Sequence, residues 1–411
     1  MVEEITAHDF DTFANNHILS SYHESSNYAT LMSRSGYERV YLGYKDENGN
    51  TVAATLLLTK KIKHLFKYGY APKGFLIDYK NEKLLTSFTD AIKKYASKEK
   101  IIFIKINPEI PTYLINTETK EKTKLSNGII TSYLTERGYI KLKDNLYFES
   151  MLPRFNGIID LEKLDIKKYS KNTKNKINNA TRKGLEIVVS SENKVKELYP
   201  FIEMKKKRRT IKYYNNYFNI FHDEGAANIF LVKINYNTFL ENSKRIFEDE
   251  LERNRKLTEK MFKKNTPENI NKKMESDREL TSFKNDVINA TYGNNNDPNE
   301  FIAGALCITY KDRAYIVISG YNQIYGNMNP NYFLHNEIFK YYKNKGLRFV
   351  DLNGLTGDFT KKNPYYGLNQ FKLGFNPYMY ELIGEFDLVV DKNKYEFLLS
   401  LGLIQKEFKK D

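Results

Sequence analysis

The chain has 411 residues, 41% of them hydrophobic, and carries 65 Lys and Arg against 51 Asp and Glu, a formal charge of +14. That length suits two domains plus an insertion, and apolar residues spread along it exclude a disordered polymer. The basic excess favours a polyanionic partner (RNA, an anionic membrane surface or a phosphorylated substrate), and the single cysteine excludes an internal disulfide framework and a cysteine metal cluster.

The N-terminus, Met1-Val2-Glu3-Glu4, has neither the basic stretch nor the apolar run of a signal peptide. No segment reaches the roughly 20 apolar residues that span a bilayer, so a cytoplasmic protein is expected. Residues 39–44 and 52–58 are apolar runs joined by Asp46-Glu47-Asn48-Gly49-Asn50, a hairpin signal. After a glycine-containing stretch at 69–74, Leu84, Leu85, Phe88, Ile92, Tyr95 and Ala96 follow helical spacing. A strand is expected over 101–106, ending at Asn107-Pro108.

Residues 167–184 are rich in lysine. At helical spacing Lys167, Lys171, Lys174, Asn178 and Arg182 share one face, closed by Gly184. A second basic run, Lys205-Lys206-Lys207-Arg208-Arg209, leads into Tyr213, Tyr214 and Tyr217. Cations beside aromatic rings suit a phosphate carried by a ring-bearing group, although a lysine run is also what a solvated helix face looks like.

From 238 to 290 strand formers nearly vanish and charges alternate. Leu240, Phe247, Leu251, Leu257 and Met261 mark a stripe near heptad spacing. Thr266-Pro267-Glu268 is a helix start, and Ile270, Met274, Leu280, Phe283 and Val287 continue a second helix. An antiparallel helical arm is expected; two helices lying flat on the body are the alternative.

The earlier order of elements then returns. Runs at 301–310 and 314–319 flank a turn at 311–313. A helix follows with Leu334, Ile338, Tyr341 and Tyr342 on one side and Gly346 as C-cap, and then a strand at 348–352. Hairpin, helix and strand, twice over, point to two related α/β modules, or to convergent use of one common arrangement. Cys307 lies in an apolar strand and reads as a core residue.

The strand at 348–352 leads into Asn353-Gly354-Leu355-Thr356-Gly357-Asp358-Phe359, whose glycines allow close backbone approach to a ligand without matching a P-loop or dinucleotide fingerprint. Lys372 follows in Asn369-Gln370-Phe371-Lys372-Leu373-Gly374-Phe375, flanked by apolar residues. The six histidines show no ligand spacing, so no metal site is expected. No G-x-S-x-G elbow is present.

Several of these stretches resemble the FemABX family of peptidoglycan interpeptide-bridge aminoacyltransferases, in particular its members with a helical arm. The likeness runs from about residue 37 to 390 and is carried by residues 73–79 (Lys73-Gly74-Phe75 onward), Ile106-Asn107-Pro108-Glu109-Ile110-Pro111, Ile159-Asp160-Leu161, residues 354–359 and Phe371-Lys372-Leu373-Gly374-Phe375. The resemblance implies an α/β (α+β) fold of two GNAT-like acetyltransferase-type modules with an inserted antiparallel coiled-coil arm. Residues 1–153 would form the first module, 154–237 with 291–390 the second, 238–290 the arm, and 391–411 a tail packing back on the body.

The resemblance further implies transfer of glycine, alanine or serine from aminoacyl-tRNA to the side-chain amine of a muramyl-pentapeptide precursor, lipid-linked or UDP-linked, with no cofactor. Contact with the inner membrane face and a homo- or heterodimer are compatible with it. Lys372, preceded by Phe371, matches the motif lysine at the reaction centre, and Asp358 is a candidate proton acceptor. Arg208, Arg209, Tyr213 and Tyr217 fall in the stretch that grips the acceptor's phosphates. Arg34 is the cation nearest Thr30, where some relatives place a lysine, and Ile318-Ser319-Gly320 lacks a tyrosine found in relatives. Lys167, Lys171, Lys174 and Arg182 are the candidate tRNA contacts. An acyl-CoA-dependent N-acyltransferase is the rival enzyme, although its pyrophosphate loop is missing; a non-catalytic RNA- or wall-precursor-binding protein is the other rival.

Overall fold

The first module runs β1 (Val2–Glu4), α1 (Ala7–Asn16), α2 (Ser26–Ser33), β2 (Glu38–Lys45), β3 (Thr51–Ile62), β4 (Phe66–Ala71), α3 (Glu82–Lys98) and β5 (Ile101–Ile106) in this computed structural model, which describes residues 1–203, 209–293 and 300–404. Strands β1 to β4 pair antiparallel through short connections. Helix α3 then carries the chain across so that β5 lies parallel to β4, the geometry a helical crossover requires. Asn81 caps α3 by accepting from the Leu84 amide, and the helix buries Leu85, Phe88, Ile92 and Ala96 against the sheet.

A connecting region follows: β6 (Pro111–Ile115), β7 (Lys122–Lys124), α4 (Ile129–Glu136), β8 (Tyr139–Lys141), β9 (Phe155–Asp160) and α5 (Lys171–Arg182). The second module is β10 (Leu185–Ser190), α6 (Val195–Glu203), α7 (Ile211–His222), β11 (Ala227–Ile234), α8 (Tyr236–Lys263), α9 (Pro267–Gly293), β12 (Phe301–Tyr310), β13 (Arg313–Tyr321), α10 (Pro330–Asn344) and β14 (Phe349–Leu355). Without α8 and α9 this repeats the first module element for element, including the parallel last pair, β13 and β14. The fold is two related α/β modules. The arm occupies the connection that in the first module is the tight turn at Asp46–Asn50.

The repeat sits one strand away from where the sequence placed it. The counterpart of β12–β13 is β3–β4, not β2–β3, and β4 includes part of the stretch read as a glycine-containing link. Lysines at 60, 61, 63 and 67 and Gly69 disguise it as loop.

After β14 come α11 (Tyr366–Leu373), β15 (Tyr378–Leu382), β16 (Phe386–Val389) and α12 (Lys392–Ser400). The described residues form two sheets, β1-β2-β3-β4-β5-β16-β8 and β10-β11-β12-β13-β14-β9-β15-β6-β7. Two segments cross the division expected from the sequence. Strands β6 and β7 lie within residues 1–153 yet pair in the second sheet, and β16 lies within 291–390 yet pairs with β5 in the first. Helix α12 packs Tyr395 and Leu398 on Ile102 and Phe103 of β5. The modules also share one apolar core, in which Phe10, Tyr22, Leu31 and Leu56 meet Leu198, Phe218, Leu231 and Leu306.

Helices α8 and α9 pair antiparallel, and Leu240, Phe247, Leu257 and Met261 of the stripe read from the sequence are part-buried, with polar residues set among them. Leu251 and Met274 are half exposed, whereas Glu250 and Ser276 are buried and hydrogen-bonded to each other. Asn254 donates to Ser276 at 3.0 Å and Asp277 at 2.9 Å, and Arg253 reaches Glu279 at 2.7 Å. Polar partners buried in a seam fix helix register, because any slip leaves them unpaired.

Candidate active site

A cleft of about 950 Å³ lies between the modules. The first contributes Tyr22, Tyr28, Tyr37, Lys60 and Lys73; the second contributes Arg209, Tyr213, Tyr217, Tyr315, His335, Asp351, Phe371 and Lys372. The stretch carrying Arg209, Tyr213 and Tyr217 and the one carrying Phe371 and Lys372, far apart in sequence, therefore face the same space.

Thr210 caps α7 by accepting from the Tyr213 amide, and the helix buries Tyr214, Tyr217, Phe218 and Phe221. Tyr217 donates its hydroxyl to Tyr22 at 2.9 Å, and burial holds its ionisation far above the usual range. Burial also pushes Tyr213 up to about 12, and the Arg209 guanidinium lies 5.5 Å over its ring. This wall is aromatic and neutral, with exposed Arg209 as its cation. Arg208 lies outside the described residues.

Lys372 is in the last turn of α11, and its Nζ donates to the Gly354 carbonyl at 2.7 Å. The register of β14 against β9 shifts between Asp351 and Gly354, and Asn353 takes φ +64°, a left-handed conformation that asparagine tolerates. This bulge interrupts the ladder beside Lys372, and pairing resumes at Gly354 and Leu355. Buried Asn369 ties the loop after it to α11: it accepts from the Thr356 amide at 3.0 Å and donates to the Thr356 carbonyl at 3.0 Å. A Cβ on Gly374 would stand 2.2 Å from Thr173 Oγ1, and Ser170 donates its amide to the Gly374 carbonyl at 2.9 Å. The glycine of the Phe-Lys-x-Gly motif thus lets α11 dock on the start of the lysine-rich α5.

The cleft floor carries a group that chemical reading of the sequence missed. Lys73 is buried and pairs with Glu109 at 3.1 Å; Glu109 also accepts from Arg313 at 2.8 Å, and Arg313 lies 4.0 Å from Asp351. Burial alone would raise Glu109, but the two cations hold it down to about 2. Asp351 is raised by burial, partly offset by Arg313. Lys73 has φ +58° and donates its amide to Asn107 at 2.9 Å. The Lys73-Gly74-Phe75 and Asn107-Pro108-Glu109 stretches, seen in sequence only as likenesses, are the two sides of one contact.

Other candidates lie elsewhere. Asp358 is not among the cleft-lining residues. Its carboxylate accepts from the Thr360 amide at 2.9 Å and the Tyr147 hydroxyl at 3.1 Å, bonds that lower its proton affinity and make it a loop tie and a poor base. Arg34 is exposed at the end of α2 and donates to Asn216 at 3.1 Å; its neighbours Met32 and Ser35 reach the cleft. Thr30 accepts from Arg39. Lys167 and Lys171 are exposed, and Lys174 donates to the Lys167 carbonyl at 3.1 Å. Arg182 leaves that face: it pairs with Asp286 of the arm at 3.2 Å and lies 5.1 Å over Phe283. Among the described residues no cluster of His, Cys, Asp or Glu is placed to hold a metal, and no helix is long and apolar enough to cross a membrane.

The FemAB family profile matches residues 5–401. This chain belongs to the FemAB family. Over 406 residues it is 25% identical to the lipid II:glycine glycyltransferases of Staphylococcus epidermidis and Staphylococcus saprophyticus, covering 96% of this chain and 94% of each relative. The protein of the same name from Staphylococcus aureus is 24% identical over 411 residues. A crystal structure of FemX matches this FemAB-family fold with a TM-score of 0.73 at 21% identity, across 97% of this chain and 99% of that one.

Proposed function

We propose that this FemAB-family protein is an aminoacyl-tRNA-dependent transferase that adds glycine to the stem-peptide amine of a lipid-linked muramyl-pentapeptide, starting or extending the interpeptide bridge. The observation that carries the reading is the shared cleft, in which Lys372 and the Arg209–Tyr213–Tyr217 wall face one space. Support for glycine and a lipid-linked acceptor comes from the glycyltransferase relatives that span nearly the whole chain.

The donor is an activated ester, so the protein's task is to bring amine to carbonyl. Positioning alone can supply about 7–11 kcal/mol of barrier reduction. Attack places negative charge on the carbonyl oxygen, and a fixed cation there stabilises it. Lys372, steered by the Gly354 carbonyl, is that cation. Arg209 takes an acceptor phosphate while the tyrosine wall packs its sugar and peptide. The exposed Lys167 and Lys171 at the start of α5, joined to α11 through Gly374, extend a basic track from the reaction centre towards the tRNA acceptor stem.

The test is transfer of labelled glycine, serine or alanine from charged tRNA to lipid II and, in parallel, to a UDP-linked muramyl-pentapeptide. Glycine transfer to lipid II is expected. Transfer from an acyl-CoA instead, or none from any charged tRNA, overturns the reading.

A further inference from the structure

Strand β9 carries a polar residue that neither the family motifs nor the ion network accounts for. Asn156 lies opposite Gly354 of β14 on one side and Tyr380 of β15 on the other. The residue is among those lining the cleft and is 5% exposed. Its Oδ1 is buried and meets no hydrogen-bond donor among the described residues. An amide in a central strand with an unpaired acceptor weakens the fold, and an apolar side chain of the same size would not. Such a group is kept where something outside the fold completes it.

Its position identifies that partner. Gly354, directly across the ladder, is the residue whose carbonyl holds Lys372 Nζ. Opposed residues of antiparallel strands have Cα atoms about 4.5–5.5 Å apart. That spacing places a group held by Asn156 within reach of a carbonyl whose oxygen faces Lys372. A neutral amine about to attack that carbonyl has N–H bonds to donate and one lone pair to aim. An amide oxygen accepts such a bond without taking the proton.

We infer that Asn156 orients the attacking amine: its Oδ1 accepts one N–H, so that the nitrogen lone pair points at the ester carbon polarised by Lys372. This rests on the aminoacyl-transfer reading above. The N–C bond forms, the C–O bond to the tRNA ribose breaks, and one proton passes from nitrogen to the departing ribose oxygen. Asn156 stays neutral throughout.

The experiment uses the purified full chain, glycyl-tRNA and lipid II, with Asn156→Leu and Asn156→Asp beside wild type. For Asn156→Leu, kcat is expected to fall about tenfold to hundredfold, the cost of a misaligned reactant, with the KM for tRNA within twofold and Tm unchanged or raised. Asn156→Asp puts a carboxylate against the amine and favours its protonated form, so the acidic limb of the pH–rate profile moves to higher pH. A purely structural residue shifts no limb. Asn156→Leu turnover within twofold of wild type overturns the inference, as does a loss matched by a fallen Tm. If Asn156→Leu fails to fold, an unshifted limb in Asn156→Asp overturns it. A wild-type protein that transfers no glycine from tRNA overturns the functional reading and this inference with it.

Discussion

The two modules follow one plan and finish its last strand differently. In the first, β5 ends at Asn107, whose side chain accepts from the Lys73 amide at 2.9 Å and the Tyr70 hydroxyl at 3.3 Å, and Pro108 packs against Gly74. That end is closed. In the second, a bulge between Asp351 and Gly354 interrupts β14 beside Lys372, and Asp351, Asn353 and Gly354 line the cleft there. Duplication lets one copy keep a regular strand end while the other carries an interrupted ladder at the cleft. Bulges and left-handed residues are tolerated where the rest of the structure holds them.

The sharpest way to break this contrast is Lys372→Met. Turnover in the glycyl-transfer assay should fall about 10²–10³-fold, the scale of losing one charge-stabilising group, with Tm little changed. A loss of Tm that accounts for the lost turnover would make the second strand end scaffold as well. On the closed side the expected effect is on stability. Glu109 ionises near 2 in the fold against an ordinary 4.5, a difference of about 3 kcal/mol at 1.36 kcal/mol per unit. Its folded value is the lower one, so this contribution is present above pH 4.5 and is lost as pH falls towards 2. Glu109→Gln should therefore cost about 3 kcal/mol in denaturant unfolding at pH 7, and the gap to wild type should narrow below pH 4.5.

A smaller effect should separate the cleft from its approach. Lys171→Glu with Lys174→Glu should weaken tRNA binding and flatten the salt dependence, by roughly 0.7–0.9 in slope for each phosphate no longer neutralised, while leaving lipid II binding unchanged. An unchanged slope would remove α5 from the tRNA path. The smallest effect belongs to Arg182→Ala, which removes one of the two cations on Asp286 of the arm and leaves Lys183 at 3.0 Å; at most about 1 kcal/mol is expected, read as faster proteolysis within α8 and α9 with Tm nearly constant.

The duplicated plan was legible in sequence because runs such as 101–106 and 301–310 are long, apolar and bounded by turns. Strand β4 was not, since lysines and Gly69 interrupt its pattern, and that one hidden strand displaced the whole repeat. The arm was legible as two helices with an apolar stripe, but the polar members of its seam were not: Glu250, Asn254 and Ser276 occupy positions that hydrophobic periodicity skips. In the site, Lys372 stood out because a lysine amid apolar residues is conspicuous. Lys73, Glu109, Arg313 and Asp351 did not, because their meaning is mutual and they come from four separate segments. Asn156 gives no sequence signal, since an unpaired amide is visible only once its neighbours are placed.

The placement of β16 has a consequence for how the protein is made. The first sheet sets Phe386–Val389 between β5 and β8, so a front half fresh from the ribosome exposes the bare edges of both until Val389 has been synthesised. Completion of the first sheet is thus tied to a segment translated long after β5 and β8. Chains cut short anywhere before residue 386 leave the ribosome with an unsealed, aggregation-prone front half, and no truncated product should accumulate in soluble form.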